Sequence, residues 1–250
     1  MGDKNIVVKV KELECKFYTL KDIPKEYIRM VLCQLIDGCL LKNKKFAEIH
    51  NSNIIAKGYS FSSAIRPIEC GTILKKSSIY CFKMRILNNP LCRYLEKNLA
   101  NEFTCNIKML EVSSRTLNNS YIEKLYTQTP VTLNFLESDT KKGYWQSFKT
   151  IEDVLQRINE SLILKYNSYF DKNVPLDTTV FNGIVKNNSY PISEKFVKNG
   201  KTITFLCDKF DLYVDKSSEA QNIAQFACAI GVGARTCRGF GFTNAKRVNL

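Results

Sequence analysis

Ile6-Val7-Val8-Lys9-Val10-Lys11-Glu12-Leu13-Glu14-Cys15-Lys16-Phe17 has the alternation of a strand, in which successive side chains point to opposite faces. Ile6, Val8 and Val10 form one apolar row, and Leu13, Cys15 and Phe17 form another in the opposite phase. That change of phase predicts a bulge or bend near Lys11-Glu12. The pattern then switches to a helical period. Pro24 suits a first helical turn, and Tyr27, Val31 and Leu35 share a face beside Ile28, Leu32 and Ile36. Two strands follow, one with Tyr59, Phe61 and Ile65 on a side, the other with Tyr80, Phe82, Met84 and Ile86. Asn89-Pro90 opens a second helix that aligns Leu91, Leu95 and Leu99. A further strand is expected from Cys105 to about Thr116.

The second half repeats this order less clearly. Val131 to Phe135 has strand character, and Val154, Ile158, Leu162 and Tyr166 align on a helix from about Ile151 to Tyr169. Asn199-Gly200 supplies the positive φ angles of a type I′ turn and predicts a hairpin joining Phe196-Val197 to Ile203-Thr204-Phe205. Phe210, Leu212 and Val214 extend the sheet pattern. Ser218 and Gln221 have capping-box spacing and open a helix through Ile230. A glycine-rich loop from Gly231 to Gly241 and a last strand including Phe242 end the chain. Each half therefore reads β-α-β-β-α-β, the split βαβ arrangement of ferredoxin-like folds. The expected architecture is α+β, with two tandem ferredoxin-like domains and a C-terminal glycine-rich loop. The division into residues 1–122 and 123–250 is placed in the polar stretch 117–128, which contains Asn118-Asn119-Ser120.

Composition limits the function. The net charge is +13, from 37 basic and 24 acidic residues. A surplus of this kind favours a polyanionic partner through counterion release. However, 28 of the basic residues are Lys, and that bias together with abundant Asn and Ile also follows from an AT-rich coding sequence. The ten cysteines include no CxxC pair, and there is one histidine. Neither pattern suits a zinc site, so no metal and no cofactor is expected. Cysteines among apolar residues, such as Cys228, read as small buried hydrophobes of a reducing compartment. The first residues carry no apolar signal core, and no apolar run approaches the ~20 residues of a membrane helix. A soluble cytoplasmic protein without a membrane partner is expected.

Two features carry chemistry. The loop Gly231-Val232-Gly233-Ala234-Arg235-Thr236-Cys237-Arg238-Gly239-Phe240-Gly241 combines four glycines with two arginines. It suits contact with a phosphate backbone, through exposed N–H groups and the guanidiniums of Arg235 and Arg238. It follows a helix and lacks the third glycine of a dinucleotide fingerprint, and no Gly-Lys-Ser/Thr ends it as in a Walker A loop. The other feature is His50, the sole imidazole, which is suited to proton transfer near neutral pH. It follows the basic segment Lys42-Asn43-Lys44-Lys45 and is expected in a loop between helix and strand.

Ile49-His50-Asn51, followed by Lys57-Gly58-Tyr59-Ser60-Phe61-Ser62, resembles the histidine motif of CRISPR repeat-RNA endoribonucleases of the repeat-associated mysterious protein (RAMP) superfamily. The loop ending Gly239-Phe240-Gly241 resembles that superfamily's C-terminal glycine-rich signature. The resemblance implies metal-independent cleavage of CRISPR repeat RNA, by attack of a 2′-OH to leave a 2′,3′-cyclic phosphate. The product would be a guide RNA passed to an interference complex. His50 matches the catalytic histidine, and Lys57 lies close to where some members place a catalytic lysine. The resemblance assigns RNA binding to the loop, at Gly231, Gly233, Arg235, Arg238, Gly239 and Gly241. Some members also use a tyrosine in the first helix. Val31-Leu32-Cys33-Gln34-Leu35 has none there, and Tyr27 and Tyr59 are the nearby tyrosines. The alternative is a non-catalytic RAMP subunit that binds guide RNA within a CRISPR effector complex.

Overall fold

Strand β1 (Lys11–Thr19) is central to the first half of the computed structural model, which describes residues 7–51, 56–63, 71–133, 144–147, 149–198 and 201–248. Ile6, Ile65, residues 134–135 and the Asn199-Gly200 turn lie outside the described residues. The next elements are β2 (Ile23–Pro24), α1 (Lys25–Leu41), α2 (Lys44–Asn51), β3 (Tyr59–Phe61) and β4 (Ile73–Leu74). β5 (Ile79–Ile86), α3 (Asn89–Leu99) and β6 (Ile107–Thr116) complete this half. Its sheet is antiparallel with strand order β3-β5-β1-β6, and β2 and β4 form a separate pair. α1 buries Ile28, Val31, Leu32, Leu35 and Ile36. α3 buries Leu91, Leu95 and Leu99, and the Asn88 side chain accepts a bond from Leu91 N–H at its start.

The expected bulge near Lys11-Glu12 is absent. β1 pairs in unbroken register there with both neighbours. The register break lies between Lys16 and Phe17, opposite β6, where Leu110 is skipped between Met109 and Glu111. The phase change instead records two cores. Leu13, Cys15 and Phe17 point into the first, while Val8 and Val10 join the second. His50 is likewise not in a loop. It lies in α2, near that helix's C-terminal end.

The second half comprises β7 (Tyr121–Thr127), α4 (Ile151–Phe170), β8 (Phe181–Lys186), β9 (Ile192–Lys198) and β10 (Lys201–Cys207). β11 (Phe210–Val214), α5 (Ser218–Ile230) and β12 (Thr243–Val248) follow. The antiparallel order β12-β7-β11-β8 repeats that of the first half, so both sheets have ferredoxin-like topology. β9 and β10 form a separate two-stranded ribbon, with Lys198 facing Lys201. Much of the expected linker at 117–128 is β7, and the expected division at 122/123 falls inside that strand. Its period was hidden by a bulge. β12 pairs Lys246 with Lys124 and Arg247 with Ile122, skipping Glu123, so buried Ile122 and Leu125 are three apart. Of the expected strand from Val131, the described residues hold isolated bridges, Val131 to Asp208 and Thr132 to Ala234. The cap of α5 is Ser217, one residue before the expected Ser218, and Gln221 bonds instead to both backbone groups of Ile122.

The two halves are joined by polar groups that need each other. Helix C-termini leave carbonyls without intrahelical partners. At the end of α5, Cys228 O accepts from Arg85 Nη1 at 3.3 Å and Ala229 O accepts from Ser60 Oγ at 2.7 Å. Both donors come from the first half. Arg85 also donates to Thr243 O and lies over the Phe242 ring, 4.5 Å from its centroid. Among the described residues, no helix is long and apolar enough to cross a membrane.

Candidate active site

His50 and Arg238 meet around one carboxylate, and Lys57 joins them through the backbone of His50. Asp37 lies in α1, and its Oδ1 is 2.8 Å from His50 Nε2. Nε2 is sealed from solvent, and this contact lacks hydrogen-bond alignment. The other ring nitrogen, Nδ1, is 3.0 Å from Asn51 Oδ1. Asp37 Oδ2 accepts from Arg238 Nη1. Lys57 donates its ammonium to the backbone carbonyl of His50. Thus α1 and α2 of the first half and the glycine-rich loop of the second converge at the junction. Burial by itself would lower Arg238, but the Asp37 carboxylate raises it above its ordinary value. Burial raises Cys237, while Lys57 and Arg238 beside it pull the other way.

Beside this cluster is a cleft of about 230 Å³ lined by Lys57, Ser161, Lys165, Arg235, Thr236 and Cys237, among others. Lys165 comes from α4, is 8% exposed and donates to Gly233 O. Burial pushes its ammonium down to about 8. Arg235 lies over the Phe205 ring of β10, 4.4 Å from its centroid. Of the two tyrosines, Tyr59 is buried near Asp37, Cys237 and Arg238, and burial raises its hydroxyl well above the ordinary value. Tyr27 packs against the first core.

The loop glycines have packing reasons. The N–H groups of Gly231, Gly239 and Gly241 donate to Ala227, Thr236 and Pro130 carbonyls, so they are not the free donors expected from the sequence. Gly241 has φ +58, and a Cβ there would overlap the Val232 carbonyl. At Gly239 a Cβ would stand 2.7 Å from Phe61 of β3, so the loop is pressed against the first half. A second constraint is the 3₁₀ turn Thr236–Arg238, which begins after left-handed Arg235 and aims Arg238 at Asp37.

Asp37 and Lys165 escaped the sequence reading. Each leaves a signal, a single charge inside an apolar run: Leu35-Ile36-Asp37-Gly38-Cys39 and Leu162-Ile163-Leu164-Lys165-Tyr166. A charge is rarely buried without a partner or a task. Among the described residues no three metal-ligating side chains converge.

The family model for CRISPR associated protein Cas6, C-terminal, matches residues 112–245, more than half of the chain. No curated protein matches it. Several solved structures share the fold at low identity. One described as CRISPR associated protein Cas6 is 15% identical, with 95% of this chain and 100% of that one covered and a TM-score of 0.69. A Cas6-related gene product from Pyrococcus furiosus is 15% identical, with 95% and 98% covered and a TM-score of 0.68. An RAMP protein described as binding different RNA substrates is 15% identical, with 95% and 100% covered and a TM-score of 0.67.

Proposed function

The chain belongs to the family of CRISPR associated protein Cas6, and from that premise we propose that it is an endoribonuclease that cuts CRISPR repeat RNA without a metal ion. The observation that carries this reading is the meeting of its only histidine with Lys57 and, through Asp37, with Arg238 of the glycine-rich loop. These are the groups that RNA transesterification needs. A base removes the proton of a ribose 2′-OH as its oxygen bonds to the adjacent phosphorus. The bond from phosphorus to the 5′ oxygen breaks, and that oxygen takes up a proton. The products are a 2′,3′-cyclic phosphate and a 5′-OH. His50 transfers a proton, and Lys57 offsets charge on the crowded phosphate. RNA phosphates meet the loop at exposed Arg235 and half-buried Arg238, while the buried Gly231, Gly233, Gly239 and Gly241 shape the loop behind them, and the product serves as guide RNA for interference-complex subunits.

Incubation of the purified protein with repeat RNA in excess EDTA tests this reading. The expected product ends in a 2′,3′-cyclic phosphate, and a 2′-deoxy substitution at the cut site blocks the reaction. A product with a 3′-OH, or loss of activity in chelator, contradicts the mechanism. Tight binding without cleavage would favour the guide-RNA scaffold instead.

A further inference from the structure

The two nitrogens of His50 have different surroundings, and the difference assigns them different tasks. Nε2 is sealed from solvent and faces Asp37 Oδ1 at 2.8 Å. Nδ1 faces the side chain of Asn51, which is exposed. The pair is not aligned as a hydrogen bond, but a carboxylate has no proton to give and its negative charge at this distance favours the N–H form of the nitrogen that faces it. An amide can turn over and present either its oxygen or its NH₂. Asn51 therefore suits Nδ1 with or without its proton.

Resting on the cleavage reading above, we propose that Asp37 is a positioning residue that keeps the Nε2 proton of His50 in place and leaves Nδ1 as the nitrogen that exchanges a proton with RNA. The same carboxylate fixes the loop. Its Oδ2 receives Arg238 from the second half while its Oδ1 faces the imidazole from the first. One side chain thus sets the proton position of the acid–base group and the place of the phosphate-binding guanidinium. The ends of Asp37 are not equivalent in charge. One is neutralised by a permanent cation, and the other meets a ring that gains and loses charge during a turnover.

The chemistry balances without another reactant. As base, Nδ1 takes the 2′-OH proton while Nε2 keeps its own, and the resulting imidazolium is steadied by Asp37. As acid, Nδ1 gives its proton to the departing 5′ oxygen and returns to the neutral form. In either direction Asp37 stays ionised and touches neither substrate nor product.

Because the chain has one histidine, a ¹⁵N-labelled imidazole spectrum reports on His50 alone. In wild type, above the imidazole's titration range, the proton should sit on Nε2. Asp37→Asn retains the shape and can turn an NH₂ toward Nε2, which should move the proton to Nδ1. Asp37→Ala should give a mixture of the two tautomers. Single-turnover cleavage of repeat RNA should fall in both variants, by as much as about 10⁴-fold in Asp37→Asn, which holds the wrong tautomer. Arg238→Ala should weaken RNA binding and leave the tautomer on Nε2, which separates the two ends of the carboxylate.

A wild-type spectrum with the proton on Nδ1 would overturn the proposal. So would Asp37→Asn cutting at the wild-type rate. If wild type binds repeat RNA and does not cut it, the cleavage reading fails, and the tautomer of the variants still decides whether Asp37 orients His50.

Discussion

Glu12 is 1% exposed, yet it carries a charge into the junction between the two cores. Arg85 Nε lies 2.8 Å from one of its oxygens and Arg115 Nη2 lies 2.6 Å from the other, with Lys83 at 3.6 Å. Burial would raise its carboxyl, but Arg85, Arg115 and Lys83 together hold it below the ordinary glutamate range. A carboxylate with a depressed folded value contributes stability above its unfolded pKa of about 4.3, and loses it as pH falls through the folded value. Wild type should therefore lose stability below about pH 4.3. Glu12→Gln should be less stable by about 3 kcal/mol at neutral pH, because Arg85 is left buried without its counter-charge. It should also show a shallower loss in acid. Urea unfolding at a series of pH values measures both. Parallel curves for the two proteins would remove Glu12 from the account. None of this was visible in the sequence, where Glu12 stands as one of several acids in an alternating strand.

At the scale of elements, α1, α3, α4 and β5 were legible because their apolar residues keep an unbroken period and bury that face against one core. β7 was not, because the bulge at Glu123 breaks its period and the strand then looks like a polar linker. The helix α2 was missed because it is short and buries only Phe46, so a hydrophobic stripe had little to show. The glycine-rich loop stood out in the sequence, and its glycines serve packing. Gly241→Ala should cost about 2–4 kcal/mol, since it combines a left-handed φ with overlap on the Val232 backbone. Gly38→Ala is the counterpart within α1. Nothing lies within 4 Å of its added Cβ, so it should stabilise by about 0.5–1 kcal/mol through helix propensity. Thermal unfolding of the two variants should move in opposite directions. A neutral Gly241→Ala would mean that the loop yields easily around the Val232 backbone.

For the whole molecule, the βαββαβ order was legible in the first half, and the second half has the same strand order, though its sheet includes β7 and β8 and leaves the expected hairpin strands as the separate ribbon of β9 and β10. Of the candidate site, His50, Lys57, Arg235 and Arg238 were singled out from the sequence. Asp37 joins His50 and Arg238, residues 188 positions apart in the chain, and no local pattern shows such a contact. The junction therefore matters beyond stability. It brings the imidazole of His50 from the first half to a cation from the second, and Arg85 and Ser60 hold the end of α5 at the same boundary. The net charge of +13 favours a general attraction for RNA, and in the proposed function the histidine at this junction makes the difference between holding RNA and cutting it. The direct test is single-turnover cleavage of repeat RNA in excess EDTA by wild type and His50→Ala, with RNA affinity measured alongside. The variant should be slower by about 10²–10⁴-fold at nearly unchanged affinity, whereas cleavage at the wild-type rate would contradict the central role given to His50.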